Sequence, residues 1–127
     1  MSAKTKEIVT KVNAAFAEGS VEGFLSFCSE DVEFRMVGAG AFKGKAAIRE
    51  WMASMDSEPP TIAVDNVIAE GDFVTAHGDM TMKEGEKVVP YSYCDIYRFR
   101  DDLIVELTGF VMKTESQHEA KAGGTAR

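Results

Sequence analysis

The stretch Tyr91–Met112 constrains the fold of this chain more than any other part of the sequence. It predicts two long strands, because a tight polar turn at residues 100–102 separates two segments of alternating character. Successive side chains of a strand point to opposite faces of the sheet. On the first strand, one row of side chains therefore contains Tyr91, Tyr93, Asp95, Tyr97 and Phe99. On the second strand, the corresponding row contains Val105, Leu107, Gly109 and Val111. Asp95 is the one carboxylate in these aromatic and apolar rows.

Apolar residues at helical spacing come before this hairpin. Residues 3–18 predict an amphipathic helix, which Gly19 ends and after which Ser20 caps a second helix over Val21–Cys28. A third helix begins at Lys45 and ends before the Pro pair at 59–60. Its predicted inward residues are Ile48, Trp51, Met52 and Met55.

Between and after the helices the pattern predicts strands. Val32–Val37 is a short strand, and the glycine-rich segment GAGAFKGK after it is a loop. From Thr61 the period is two, with an irregularity near Asp65-Asn66. Further strands are predicted over Phe73–Lys83, Lys87–Arg100 and Leu103–Lys113, and the predicted inward row of the first is Val74, Ala76, Gly78, Met80 and Met82.

These elements predict an α+β fold in one domain. Three N-terminal helices pack on a strongly curved, mainly antiparallel sheet, which gives a cone-shaped α+β barrel with a pocket inside its mouth. The domain takes in residues 1–127, and the small, polar residues from about 116 to 127 are predicted to be a flexible tail.

Composition narrows the function classes. The net charge of −7 argues against a nucleic-acid partner, since phosphate binding needs clustered Lys and Arg. No apolar run is long enough to cross a membrane, and the N-terminus lacks a signal core, so we expect a cytoplasmic protein. Cys28 and Cys94 are interpreted as buried thiols.

No cofactor or metal is expected. The segment GAGAFKGKA lacks the first glycine of a phosphate-binding loop, where Ala39 stands, and Ala46 replaces the Ser or Thr that would bind magnesium. The two histidines lie far apart in the sequence, and no cysteine cluster accompanies them.

The segments NAAFAEGSVEGF, GKAAIREWM and CDIYRFRDDLIVEL resemble the nuclear transport factor 2-like superfamily, in its SnoaL-like and ketosteroid-isomerase-like branch. The resemblance covers about Lys4–Lys113. It implies the cone-shaped fold, but this fold carries isomerases, cyclases, hydrolases, dehydratases and non-enzymatic binders, so the activity stays open.

The isomerases of this superfamily use a carboxylate base and an oxyanion hole made of a Tyr and a neutral acid. Asp95 matches that acid. Val12 stands where the resemblance places the Tyr, Arg35 or Met36 stands at the base, and Met52 replaces a supporting Tyr. A standard steroid isomerase is therefore not expected.

The epoxide hydrolases of the superfamily match less well. They need two Asp residues bridged by an Arg around a water molecule. The second Asp would fall near Val111 or Met112, where the chain has no acid, and Arg98 has the strand parity opposite to that of Asp95.

A neutral Asp95 would donate a hydrogen bond to a ligand carbonyl, because burial raises the pKa of a carboxyl group. Tyr91 or Tyr93 is a candidate for a second donor. The alternative is that Asp95 is a hydrogen-bonded acid of the core. The predicted ligand-binding residues are Val12, Phe16, Met36, Trp51, Met52, Met80, Tyr91, Tyr93, Tyr97, Leu107 and Val111.

Two functions follow as hypotheses. The first is a small-molecule-binding protein for an apolar, carbonyl-bearing ligand, with isomerase-, cyclase- or dehydratase-type chemistry in which Asp95 is catalytic. The second is a non-catalytic binding or assembly module. Either is predicted to be a homodimer through the outer sheet face, where Thr75, His77, Asp79 and Thr81 lie beside Ser92, Cys94, Ile96 and Arg98.

Overall fold

The computed structural model describes residues 2–54 and 58–114. Two predictions lie outside these residues, namely the inward position of Met55 and the flexible tail over 116–127. Within them, the α+β fold predicted from the sequence is confirmed.

Three helices pack on one face of the sheet. They are α1 (Ser2–Glu18), α2 (Val21–Leu25) and α3 (Lys45–Ala53). The apolar stripe of α1 includes Val9 and Val12, and both are fully buried. Gly19 has φ +74°, the left-handed conformation that ends a helix, and the Oγ of Ser20 accepts a hydrogen bond from the Gly23 amide at 3.0 Å. The predicted boundary between the first two helices is therefore confirmed.

Six strands form one open, mixed sheet. Their bounds are β1 (Cys28–Met36), β2 (Gly40–Lys43), β3 (Thr61–Glu70), β4 (Phe73–Glu84), β5 (Lys87–Arg100) and β6 (Leu103–Lys113). The order across the sheet is β2-β1-β6-β5-β4-β3. The β1–β6 pair is parallel, and the other pairs are antiparallel. This arrangement puts β5 and β6 in the middle of the sheet.

Two predictions about the first half of the chain are wrong. Cys28 opens β1 rather than ending a helix, because the amide of Ile104 donates to the Phe27 carbonyl at 2.9 Å and aligns this segment with β6. The glycine-rich segment is also not all loop. Gly38 and Gly40 take positive φ values of 89° and 147°, so the chain reverses and Gly40–Lys43 pairs with β1.

Irregularities in pairing change the register in several places, including the parallel pair of β1 and β6. The register of β3 against β4 shifts between Val64 and Asn66, as the sequence predicted. Another shift lies between Arg98 and Phe99, which pair with Glu106 and Ile104 respectively. Val105 was predicted to face inward, but this shift makes Ile104 the fully buried residue instead.

The inner face of the sheet and the helices enclose the core. The predicted inward row of β4 is confirmed, since Val74 and Ala76 are fully buried and pair with Tyr97 and Asp95 of β5. Aromatic rings link helix and sheet, with Phe24 against Phe34 at 5.9 Å between centroids and Phe34 against Trp51 at 5.3 Å. The core fills one part of the cone, and the remaining space is the cavity described below.

Gly78 on β4 lies where the backbone of β3 comes very close. A Cβ at this position would collide with the backbone carbonyl of Ala63, which cannot move without breaking the strand pairing. We expect Gly78→Ala to lower the free energy of unfolding by about 3 kcal/mol, the upper part of the usual range for overpacking. Urea unfolding followed by circular dichroism measures the change.

The control for this substitution is Lys87→Ala, at an exposed position of β5. It should change the free energy of unfolding by less than about 0.5 kcal/mol. A Gly78→Ala protein as stable as this control would contradict the predicted approach of the two strands.

Candidate functional site

A cavity of about 560 Å³ lies between the helices and the inner face of the sheet. This volume is in the ordinary range for small-molecule sites. Most of the residues predicted to bind a ligand line it, namely Phe16, Met36, Trp51, Met52, Met80, Tyr93, Asp95, Leu107 and Val111. The rim carries Glu18 and Gly19 from the end of α1 together with Glu58, Pro59 and Pro60 before β3.

Three residues predicted to bind a ligand lie elsewhere. Val12 and Tyr97 are fully buried in the core and do not line the cavity, because they pack where helix and sheet meet. Tyr91 lies farther along β5, and its hydroxyl donates to the Glu84 carboxylate on β4. Contrary to the prediction, these three residues are not part of the cavity wall.

Asp95 reaches the cavity because its neighbours on both sides are small. Its cross-strand partners are Ala76 on β4 and Gly109 on β6. A Cβ on Gly109 would lie 3.1 Å from Oδ1 of Asp95 and 3.3 Å from Sδ of Met36. A side chain at that position would therefore crowd the carboxyl group, and its absence leaves one side of Asp95 open.

The Asp95 carboxyl group has no hydrogen-bond or ion-pair partner among residues 2–54 and 58–114. The Asp95 side chain is accessible from the cavity on one side, and protein atoms surround the rest of its carboxyl group. Burial raises the pKa of Asp95 from 3.8 to about 7. The alternative that Asp95 is an acid of the core held by hydrogen bonds therefore lacks the partners that it requires.

The positions at which the resemblance places the base and the supporting Tyr of an isomerase site are occupied by residues of other types. Met36 lines the cavity beside Gly109, and Arg35 is exposed on the opposite face of β1. Met52 also lines the cavity, where it adds an apolar surface and no hydroxyl. Among the described lining residues, the other two carboxylates are Glu18 and Glu58, both exposed at the rim. Asp95 is therefore the one acid in the interior of the described cavity.

Tyr93 lines the cavity, but its hydroxyl faces the sheet. The hydroxyl lies 3.4 Å from the carbonyl oxygen of Ala63 on β3, a long hydrogen bond in which it is the donor. Burial, with the nearby Asp95 charge as a smaller cause, raises the pKa of Tyr93 to about 12. Tyr93 thus contributes a neutral ring to the wall and directs its hydroxyl to the backbone.

Sequence reasoning missed one polar group of the cavity, the side chain of Asn13. Asn13 lies on α1, one turn before Phe16 and next to Val12, and only 6% of it is exposed. Its Nδ2 is closed off from solvent and has no acceptor within hydrogen-bonding distance. The available signal was a polar residue within the apolar stripe of α1, at the i−3 position from Phe16.

Trp51, which lines the cavity from α3, packs against two further aromatic rings. Trp51 stacks on Phe42 of β2, with 4.4 Å between centroids and 15° between the planes. Phe34 meets the same indole edge to face. Trp51 is the only tryptophan of the chain, so its fluorescence reports directly on the occupancy of this cavity.

Other candidate centres are absent from the part of the chain that the structure describes. No group of three or more His, Cys, Asp or Glu residues is arranged there to hold a metal ion. Both cysteines are free, and burial raises the pKa of the Cys28 thiol to about 12. None of the described helices combines the length and the apolar character needed to span a bilayer.

The raised pKa of Asp95 makes stability depend on pH. Because this group binds its proton more tightly in the folded protein, its contribution to stability is complete below pH 4 and is lost as the pH rises through about 7. The difference from an unfolded carboxyl group corresponds to about 4 kcal/mol at most. Asp95→Asn has no carboxyl group at this position and does not lose this contribution. We therefore expect the unfolding free energy of Asp95→Asn, minus that of the wild type, to increase as the pH rises from about 4 to about 8.

Urea unfolding at a series of pH values checks this expectation. Asp72→Asn, a change of the same kind in the exposed turn between β3 and β4, is the matched control and should follow the wild-type pH profile. A constant difference between Asp95→Asn and the wild type over this range would contradict a raised pKa for Asp95.

Solved structures with the same fold are numerous. An NTF2-like protein of unknown function from Cytophaga hutchinsonii is 25% identical, with a TM-score of 0.70 over 85% of this chain and 99% of that one. TerC, co-crystallised with polyporic acid, is 21% identical, with a TM-score of 0.76 over 91% and 96% of the two chains. An LEH-like epoxide hydrolase from M. tuberculosis is 14% identical, with a TM-score of 0.76 over 86% and 83%.

A search of curated proteins finds no match to this chain. The model of the SnoaL-like domain family, in contrast, matches residues 9–107, which include Asp95, Asn13 and most of the cavity wall. The match spans most of the chain and agrees with the fold, and it confirms the resemblance seen in the sequence. The chain belongs to the SnoaL-like domain family, within the NTF2-like fold.

Proposed function

We propose that this protein binds an apolar, uncharged, carbonyl-bearing small molecule in its cavity, with Asp95 as the polar contact. The observation that supports the proposal is a carboxyl group without a protein partner at the wall of an otherwise apolar and aromatic cavity. In its neutral form this group donates a hydrogen bond to a carbonyl oxygen. TerC, which shares the fold, was co-crystallised with a small molecule, which is consistent with the proposal.

The charge of the cavity wall favours uncharged ligands. Its titratable carboxyl groups are Glu18, Glu58 and Asp95, and no Lys, Arg or His is among the described residues that line it. A ligand carboxylate would leave water without gaining a cation, which is costly in an apolar site. The same skeleton without the carboxylate avoids this cost, so the cavity should discriminate between the two.

The proposed chemistry is proton transfer by Asp95. With a pKa of about 7, the residue is present in both protonation states near neutral pH, which suits a group that must take and return a proton. In the ionised fraction of the protein, the Asp95 carboxylate takes a proton from the carbon next to the ligand carbonyl, which leaves an enolate and a neutral acid that donates a hydrogen bond to the enolate oxygen. The acid then returns this proton to another carbon, which completes an isomerisation, or to a leaving hydroxyl group, which departs as water.

A non-catalytic binding module is the second candidate. Val12 lies in the core, and neither Met36 in the cavity wall nor the exposed Arg35 supplies a carboxylate, so the described residues supply one interior acid where the isomerase relatives use several groups. Turnover separates the two candidates, because only the catalytic one predicts ligand conversion that depends on a carboxylate at position 95.

Substitutions at Asp95 separate binding from proton transfer. Asp95→Leu removes the donor, and we expect it to weaken the binding of neutral carbonyl ligands by about tenfold or more. Asp95→Asn keeps an N–H donor of similar shape, so it should bind within a few-fold of the wild type and yet lose all turnover. Trp51 fluorescence and thermal shift measure binding, with a panel of steroids, polyketide-like aromatics, terpenoids and short enones, each beside a carboxylate analogue.

Glu86→Gln, which removes an exposed acid in the turn between β4 and β5, is the matched control and should bind like the wild type. Equal binding of the panel to the wild type and Asp95→Leu would overturn the proposed role of Asp95. Preferential binding of the carboxylate analogues would overturn the proposed ligand class.

We also propose a homodimer formed by the outer face of the sheet. The predicted outward row faces away from the helices, with Asn66 Nδ2 at 3.2 Å from His77 Nε2 and Arg98 Nε at 2.9 Å from Glu106 Oε1. Phe110 and Met112 add apolar surface beside it, with 42% and 72% of their areas exposed. Polar pairs next to exposed apolar side chains suit a self-complementary contact about a two-fold axis.

Sedimentation velocity at micromolar concentration tests the dimer. The wild type should sediment as a dimer, and Phe110→Glu should shift it towards monomer because it places a charge in the contact. Ala14 is exposed on α1, on the other side of the sheet, and Ala14→Glu should leave the dimer intact. A wild type that is monomeric at this concentration would refute the proposal.

A further inference from the structure

The amide of Asn13 is a buried polar group for which the fold supplies no hydrogen bond. The residue lines the cavity and is 94% buried, and neither end of its side chain is paired with any described residue. A buried amide without a partner destabilises the fold, and a leucine of similar volume would not carry this cost. The fold therefore gives no structural reason for an amide at this position.

We infer that Asn13 is the second polar anchor of the ligand site, and that the ligand carries a second oxygen function, a ketone or a hydroxyl, which bonds to Asn13. The inference rests on the proposed function, in which the first oxygen contacts Asp95. It adds to that function a specificity-determining residue and a substrate class, namely uncharged apolar molecules with two separate oxygen functions.

The two anchors lie on different walls of the cavity. Asn13 enters from α1, which packs against β3 and β4, whereas Asp95 enters from β5. The residues that share the cavity with them are largely apolar or aromatic, among them Phe16, Met80 and Leu107. A ligand that contacts both anchors thus has an apolar body with one oxygen directed to the helix and one to the sheet.

The Asn13 amide suits either kind of oxygen. In the unliganded protein its nitrogen is closed off from solvent, so a hydrogen bond from this nitrogen to the ligand requires the amide to turn. The terminal torsion of asparagine is broad and roughly two-fold, which permits this turn without a change of backbone. The amide then donates to a ketone through its nitrogen, or accepts from a hydroxyl through its oxygen.

Matched ligand pairs test the inference. Each pair shares one skeleton and differs in the second oxygen, as in androstenedione and the monoketone that lacks only its second carbonyl oxygen, or in tetralone and its hydroxylated analogues. Asn13→Leu should weaken the binding of the member with two oxygens by about tenfold and leave the binding of the monoketone unchanged, as measured by Trp51 fluorescence. Where the second oxygen is tested as both a ketone and a hydroxyl, the tighter-binding compound is used. The melting temperature of the free Asn13→Leu protein should equal or exceed that of the wild type.

Two further variants complete the experiment. Asn66→Leu changes the chain's other asparagine, which is exposed on β3, and should bind both members of each pair like the wild type. Asn13→Ala removes the amide with no added bulk, and it should lose the same preference for the second oxygen if Asn13→Leu does not fold.

The outcomes separate this inference from the function on which it rests. If monoketones bind through Asp95 and the Asn13 variants retain the preference for the second oxygen, the inference is wrong and the proposed function stands. An equal loss for both members of a pair would assign Asn13 to packing and would also overturn the inference. If no pair binds the wild type, the proposed ligand class fails and the inference fails with it.

Discussion

The pairing of β5 between β4 and β6 determines what this protein presents to its interior. Side chains of a strand alternate between faces, so a slip of one residue would move Asp95 to the outer surface. The tight turn at Asp101 and Asp102, whose φ values are 55° and 64°, joins β5 to β6 and helps to fix this register. The same register places Ala76 and Gly109 beside Asp95, so that the cavity extends to the carboxyl group.

The cavity combines two features that oppose stability. A carboxyl group without a partner is held where burial favours its neutral form, and an amide from α1 is left without a hydrogen bond. Neither feature improves packing, and hydrophobic residues of similar size would fit either position without desolvating a polar group. Buried polar groups of this kind are frequent at functional sites, where a ligand supplies the missing contacts. The proposed function and the role inferred for Asn13 both follow from this reasoning.

The sequence predicted the central sheet and the position of Asp95 because both depend on local alternation along β4, β5 and β6. Elements that depend on distant partners were harder to predict. Cys28 joins β1 through parallel pairing with Ile104. Gly40–Lys43 becomes a strand through pairing with β1, although the glycines in and around it are typical of a loop. Val105 was assigned to the wrong face because a shift in pairing does not show in the periodicity of a single strand.

The prediction of the cavity wall had limits of the same kind. Helical periodicity placed Val12 on the inner stripe of α1 correctly, but it could not distinguish the part of this stripe that meets the core from the part that meets the cavity, where Asn13 lies. Tyr97 shares a strand face with Asp95 and is nevertheless fully enclosed. Which residues of one face reach a cavity depends on how helices and sheet meet, and this is a property of the whole fold.

The central claim is that Asp95 is a carboxyl group exposed to the cavity that changes its protonation near neutral pH. The most direct measurement is a titration of the aspartate side-chain carboxyl carbons by nuclear magnetic resonance, with the signal of Asp95 assigned by its absence from Asp95→Asn. We expect this signal to titrate with a pKa of about 7 in the free protein, because burial without a partner disfavours the charge. A pKa near the ordinary aspartate value of about 4 would contradict the account, since Asp95 would then be a charged, solvated group.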